Sequence, residues 1–156
     1  MRVAAGSDHA GFGLKRLLSE RLVSLGHEVV DLGTFSEESV DYPDFGAAVG
    51  RSVVSGATDF GLCVCGTGIG IAMAANKLPG VRAAVVHDVT SARLAREHND
   101  ANVICFGARL VGVEEASDSL EMFLSSRFAG SSIRSSHRLT CIRRISSIAM
   151  ERWWLW

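Results

Sequence analysis

The chain has 156 residues, 47% of them hydrophobic, and its 16 Lys and Arg nearly balance 17 Asp and Glu for a formal charge of −1. That length suits one compact domain with a buried core, and the neutral balance argues against nucleic acid or a membrane surface as the main partner. No apolar run reaches the ~18 residues of a membrane span, and no signal peptide is recognisable, so a cytoplasmic protein with reduced thiols is expected.

In chain order, residues 3–6 read as a first strand that runs out at Ser7-Asp8-His9. Leu14, Leu17, Leu18, Leu22 and Leu25 recur at helical spacing, which predicts a helix stopped by Gly26. Residues 28–32 form a second strand, 36–43 a polar turn-rich stretch, and 45–54 another helix. The next strand, 60–64, runs into Cys65-Gly66-Thr67-Gly68-Ile69-Gly70, and a small-residue helix over 71–77 follows directly. Residues 81–86 and 102–106 supply two more strands, with a helix over 90–98 between them. A helix over 114–124, a polar break and a terminal helix from about 138 complete the reading. Strands and helices in strict alternation predict one open, doubly wound α/β domain with a parallel sheet.

In such sheets ligands bind beyond the carboxyl ends of the strands. Those ends collect Asp8 and His9, Cys65 with its glycine loop, His87 and Asp88, and Arg109. The loop of Gly66, Thr67, Gly68, Ile69 and Gly70 can turn its amides toward a phosphate or toward the oxygens of an enediolate, or it can simply pack helix against strand. A nucleotide-binding Rossmann-like protein is an alternative reading: the third glycine of the dinucleotide fingerprint would fall at Ile71, which counts against it, although Asp88 stands at about the distance of a ribose-binding acid. A helix N-terminus favours thiolate over thiol, and Cys65 borders one. A thiolate there would abstract a proton α to a carbonyl while the loop amides take up the developing charge. Cys63, Cys105 and Cys141 read as small buried hydrophobes. His98 suits acid–base work if it reaches the strand ends, and is a packed residue beside Leu94 if it does not. Asn99 beside it can bind a sugar hydroxyl. Arg134 and Arg138, four apart, offer two guanidinium forks for a phosphate dianion or a solvated basic face. His27, His87 and His137 read as structural. No cofactor and no metal are called for: Asp8, His9, Cys65 and His98 lack the close spacing of a ligand set.

Five motifs stand in order: Gly6-Ser7-Asp8-His9-Ala10-Gly11-Phe12, Val40-Asp41-Tyr42-Pro43, Cys65-Gly66-Thr67-Gly68-Ile69-Gly70, Ala74-Ala75-Asn76-Lys77 and Glu97-His98-Asn99-Asp100-Ala101-Asn102. Together they resemble the type B ribose-5-phosphate isomerases, in a family that also holds the galactose-6-phosphate isomerase subunits. The resemblance covers residues 1–142 and leaves 143–156 as an atypical apolar tail continuing the last helix. It implies a Rossmann-like three-layer sandwich around a five-stranded parallel sheet, and a homodimer or dimer of dimers whose active sites draw on two subunits. It also implies a place in the pentose phosphate pathway. Cys65 would carry the proton between C1 and C2 of ring-opened ribose 5-phosphate. His98 would assist ring opening, and Thr67 would move protons between the two oxygens. Amides from Gly66 to Gly70 would hold the cis-enediolate. Asp8, His9, Tyr42 and Asn99 would position the sugar, and Arg109, Arg134 and Arg138 the phosphate. A six-carbon sugar phosphate, of allose or galactose, is the alternative substrate. Family members that lack the cysteine carry a glutamate at the position of Ala74, so this chain matches the cysteine version. Two departures stand out: Ser131, Ser132 and Ile133 lengthen the approach to Arg134, with Ser135 in place of a histidine, and Trp153, Trp154 and Trp156 crowd the tail.

Overall fold

Five strands and five helices alternate through residues 1–130, the part that the computed structural model describes. They are β1 (Arg2–Ser7), α1 (Phe12–Ser24), β2 (Glu28–Asp31), α2 (Tyr42–Val54), β3 (Phe60–Cys65), α3 (Ile69–Ala75), β4 (Ala83–Val85), α4 (Val89–Asn99), β5 (Val103–Gly107) and α5 (Val113–Ser125). All strand pairs are parallel, in the order β2-β1-β3-β5-β4. This is the α/β, Rossmann-like three-layer sandwich expected from the sequence. The terminal helix from about 138, the 143–156 tail, Cys141, His137, Arg134 and Arg138 lie outside the described residues.

The layers follow from handedness. A β–α–β crossover is right-handed, so the helix changes face when the chain reverses its direction across the sheet. The steps β1 to β2 and β4 to β5 run one way and carry α1 and α4 on one face. The steps β2 to β3 and β3 to β4 run the other way and carry α2 and α3 opposite. Side chains alternate accordingly. Val3, Ala5, Leu62, Val64, Ile104 and Phe106 meet α1, α4 and α5. Ala4, Cys63, Cys65, Val103 and Cys105 meet α2 and α3. Buried on both faces, the three central strands read as continuous apolar runs.

The departures from the predicted elements have local causes. In α1, Leu14, Lys15, Leu18 and Leu22 are buried, whereas Leu17 and Leu25 are 38% and 40% exposed. Position 17 sits at the edge of the stripe, and Leu25 is the C-cap, beyond the last turn that the core covers. The helix α2 begins at Tyr42 rather than 45, since Pro43 fits a first turn whose N–H would be unpaired. The helix α3 begins at Ile69 rather than 71, so the last two residues of the glycine loop belong to its first turn. The edge strand β4 keeps only the three residues that pair with β5. Among the described residues no helix is long and apolar enough to cross a membrane.

Leu18 is fully buried against the sheet. Leu18→Ala should lower unfolding free energy by about 2–5 kcal/mol in urea titration. A loss below about 1 kcal/mol would mean that the α1 layer contributes little to the core.

Candidate active site

The chain leaves β1 in one direction and β3 in the other, and the two strands are neighbours. Their carboxyl ends therefore diverge into the crevice where open α/β sheets take ligands. A cleft of about 330 Å³ opens there, lined by Asp8, Tyr42, Cys65, Gly66, Thr67, Ile69 and Gly70. Every lining residue is one that the sequence singled out.

Cys65 ends β3 with its side chain toward α2 and α3, only 4% exposed. The Gly68 N–H donates to its Sγ at 3.1 Å, so charge on sulfur meets a donor already in place. Gly68 takes φ +78°, a region open to glycine, and an added Cβ would sit 2.9 Å from the Phe106 backbone. The Ile69 N–H bonds to Thr67 Oγ1 at 3.3 Å. The N–H groups of Gly66, Thr67 and Gly70 find no acceptor among the described residues. Unpaired amides around a cleft make a cradle for anionic oxygen.

The other two described thiols differ. Cys63 and Cys105 face each other across β3 and β5 and are fully buried. A hydrogen bond with Cys63, and then burial, push the Cys105 thiol well above its ordinary range. That favours an unreactive SH, in line with the reading of these two as small hydrophobes.

Around the cleft, Asp8 is 7% exposed, and its Oδ1 accepts the Gly11 N–H at 2.9 Å. The ring of Tyr42 lies against Gly70, where an added Cβ would come within 2.6 Å of it. His9 is half-buried beside the lining, with Nδ1 3.3 Å from both the N and the O of Val40. The Arg109 N–H donates to the Gly66 carbonyl at 3.1 Å, and its guanidinium stands over the same glycine. Asp88, considered for ribose, instead caps α4 by accepting the Ser91 N–H at 2.7 Å. Among the described residues no cluster of three or more His, Cys, Asp or Glu could hold a metal ion.

His98 and Asn99 do not reach this cleft within their own chain. The helix α4 runs back against the strands, so its last residues lie at the amino edge of the sheet, four to five positions before β5 begins. One strand length, roughly 15 Å, separates that edge from Cys65. Both residues are exposed, so His98 is not the packed histidine that its spacing from Leu94 allowed. The turn after them is firmly held. Asp100 adopts φ 48°, and its carboxylate takes Arg82 Nη2 at 2.8 Å and Arg96 Nη1 at 2.9 Å. Arg96 lies over the rings of Phe60 and Phe123. Neither this network nor the buried Lys15 was singled out from sequence. For Lys15 the signal was its helical phase, three residues before Leu18 and seven before Leu22.

The sequence profile of the Ribose/Galactose Isomerase family matches residues 3–142. The ribose-5-phosphate isomerase B of Escherichia coli is 45% identical over 129 residues, 83% of this chain and 87% of that protein. The galactose-6-phosphate isomerase subunit LacB of Clostridium acetobutylicum is 42% identical over 82% of this chain and 74% of its own length. A solved ribose-5-phosphate isomerase B from Clostridium thermocellum superposes with a TM-score of 0.89 at 45% identity, covering 95% of this chain and 97% of that one.

Of the three described thiols only Cys65 opens on the cleft. In the folded protein iodoacetamide should alkylate Cys65 at least about ten-fold faster than Cys63 or Cys105, read by peptide mass spectrometry. Comparable rates at all three would refute the assignment of Cys65 as the accessible sulfur.

Proposed function

The chain belongs to the ribose/galactose isomerase family, and we propose that it interconverts D-ribose 5-phosphate and D-ribulose 5-phosphate. The observation that carries this reading is a nearly buried thiol on the wall of a cleft, with one N–H on its sulfur and three unpaired amides around it. Cys65 removes the C2 proton of the ring-opened aldose. The electron pair moves toward the C1 oxygen and leaves a cis-enediolate. Return of the proton to C1 gives the ketose, while Thr67 relays the hydroxyl proton from O2 to O1. The amides of Gly66, Thr67 and Gly70 supply donors to the enediolate oxygens, a form of stabilisation that grows as charge develops. The lone base serves both proton steps, and the amides take up the charge that a Lewis acid would otherwise stabilise.

Asp8, His9 and Tyr42 position the sugar from the β1 and α2 sides. Arg109 contributes to phosphate binding, joined by Arg134 and Arg138 from beyond the described residues. His98 and Asn99 come from a second copy of the chain. Their exposure at the sheet edge opposite Cys65, on a turn fixed by Arg82 and Arg96, supports that arrangement. In a symmetric dimer each chain then lends His98 and Asn99 to its partner's cleft. The reaction falls within the pentose phosphate pathway, in the cytoplasm.

Conversion of ribose 5-phosphate should persist in EDTA and fall by about 10²–10⁴-fold in Cys65→Ala, measured by the appearance of ribulose 5-phosphate. Turnover retained by the variant would reject Cys65 as the base. Wild-type turnover of galactose 6-phosphate or allose 6-phosphate but not ribose 5-phosphate would move the protein to the six-carbon branch, in line with its likeness to the LacB subunit.

A further inference from the structure

Lys15 heads the largest fully buried side chains among the described residues, with its side chain 1% exposed. An ammonium is a poor filler for a core. A methionine of similar length would occupy the space without the desolvation cost that a buried ammonium carries. What the charge adds is direction. Its Nζ donates to Asp31 Oδ1 at 2.5 Å and to the Thr34 carbonyl at 2.8 Å. The rings of Phe12 and Phe35 cover it, with centroids at 5.7 and 5.3 Å. Phe35 is itself 72% exposed, so its contact with the ammonium gives the ring an inward anchor.

These contacts converge on the exit from β2. Asp31 Oδ1 also accepts the Gly33 N–H at 2.9 Å. On the other side Gly33 and Thr34 are laddered to β1: Ser7 N–H donates to Gly33 at 2.7 Å, and Thr34 N–H to Ser7 at 2.9 Å. From there the chain runs through an exposed stretch to Val40, which meets His9, and to Tyr42, which lies against Gly70. The segment is thus tied at its start to Lys15 and β1 and at its far end to His9 and Gly70.

We propose that Lys15 is a positioning residue for the sugar-phosphate site, acting through Asp31, Thr34 and Phe35 on the 35–41 segment that seats His9 and Tyr42. It touches no reacting atom. The inference rests on the isomerase reading above and adds to it the device that holds one wall of the cleft.

The test compares full-length wild type with Lys15→Met and Asp31→Asn, by ribose 5-phosphate kinetics and by amide hydrogen exchange. Asp31→Asn keeps an oxygen for the Gly33 N–H and removes only the charge, so it carries the test should Lys15→Met fail to fold. Exchange of the Thr34 and Val40 amides, which Ser7 and His9 hold, should speed up about ten-fold while that of β1, β3 and β5 stays unchanged. KM should rise about ten-fold with kcat within about three-fold of wild type, the signature of lost positioning rather than lost chemistry. Folded variants with wild-type KM, or a raised KM without faster exchange in the segment, would overturn the proposal. Failure of the wild type to convert ribose 5-phosphate would defeat the isomerase reading instead. The exchange comparison would then decide the clamp alone, with unchanged exchange at Thr34 and Val40 refuting it.

Discussion

Right-handed crossovers do not allow the chain to step from β1 to β2 in one direction and from β2 across to β3 in the other without opening a crevice between the carboxyl ends of β1 and β3. Nearly everything of chemical interest hangs on that reversal. It puts Asp8 and Cys65 on adjacent strand ends. It places α2 and α3 on the same face as the Cys65 side chain, so Tyr42 and Gly70 become the opposite wall. The glycine loop then has room to turn its amides inward, because Gly68 lets the backbone pass against Phe106 where any side chain would collide.

The same alternation along β3 that sends Cys65 toward the cleft sends Cys63 to the same face two residues deeper. Three thiols thus share one layer, yet they are not equivalent. Cys63 and Cys105 have each other and no solvent, and the Cys105 thiol is pushed up by its bond with Cys63 and by burial. Cys65 has an amide donor and an opening. Position along one strand, rather than residue type, separates an inert sulfur from a candidate base.

Much of this was legible in the sequence because the physics is local. Apolar runs in alternation with helical stripes gave the layers, and the glycine loop after Val64 marked the site. The element ends were less legible. Pro43 moves the start of α2 back to Tyr42, and Ile69 joins α3 although glycines flank it. Lys15 escaped notice because a lysine on a helix reads as solvated. Its helical phase pointed inward, but the partners that receive its charge stand 16 and 19 residues away, which no helical pattern announces. His98 and Asn99 were recognised as chemical residues, but their location follows from topology. A helix that returns against its strands must end at the far edge of the sheet, away from Cys65.

One chain therefore carries both halves of the proposed site, at opposite ends of its own sheet. The central claim is that a second copy brings them together. Complementation tests it most directly: Cys65→Ala and His98→Asn chains, each assayed alone and then after joint unfolding and refolding in equal amounts. Random pairing makes half the dimers mixed, and each mixed dimer holds one intact site of two. The account predicts near-zero activity for either variant alone and recovery to about a quarter of wild type in the mixture. A refolded mixture no more active than its parents would contradict it.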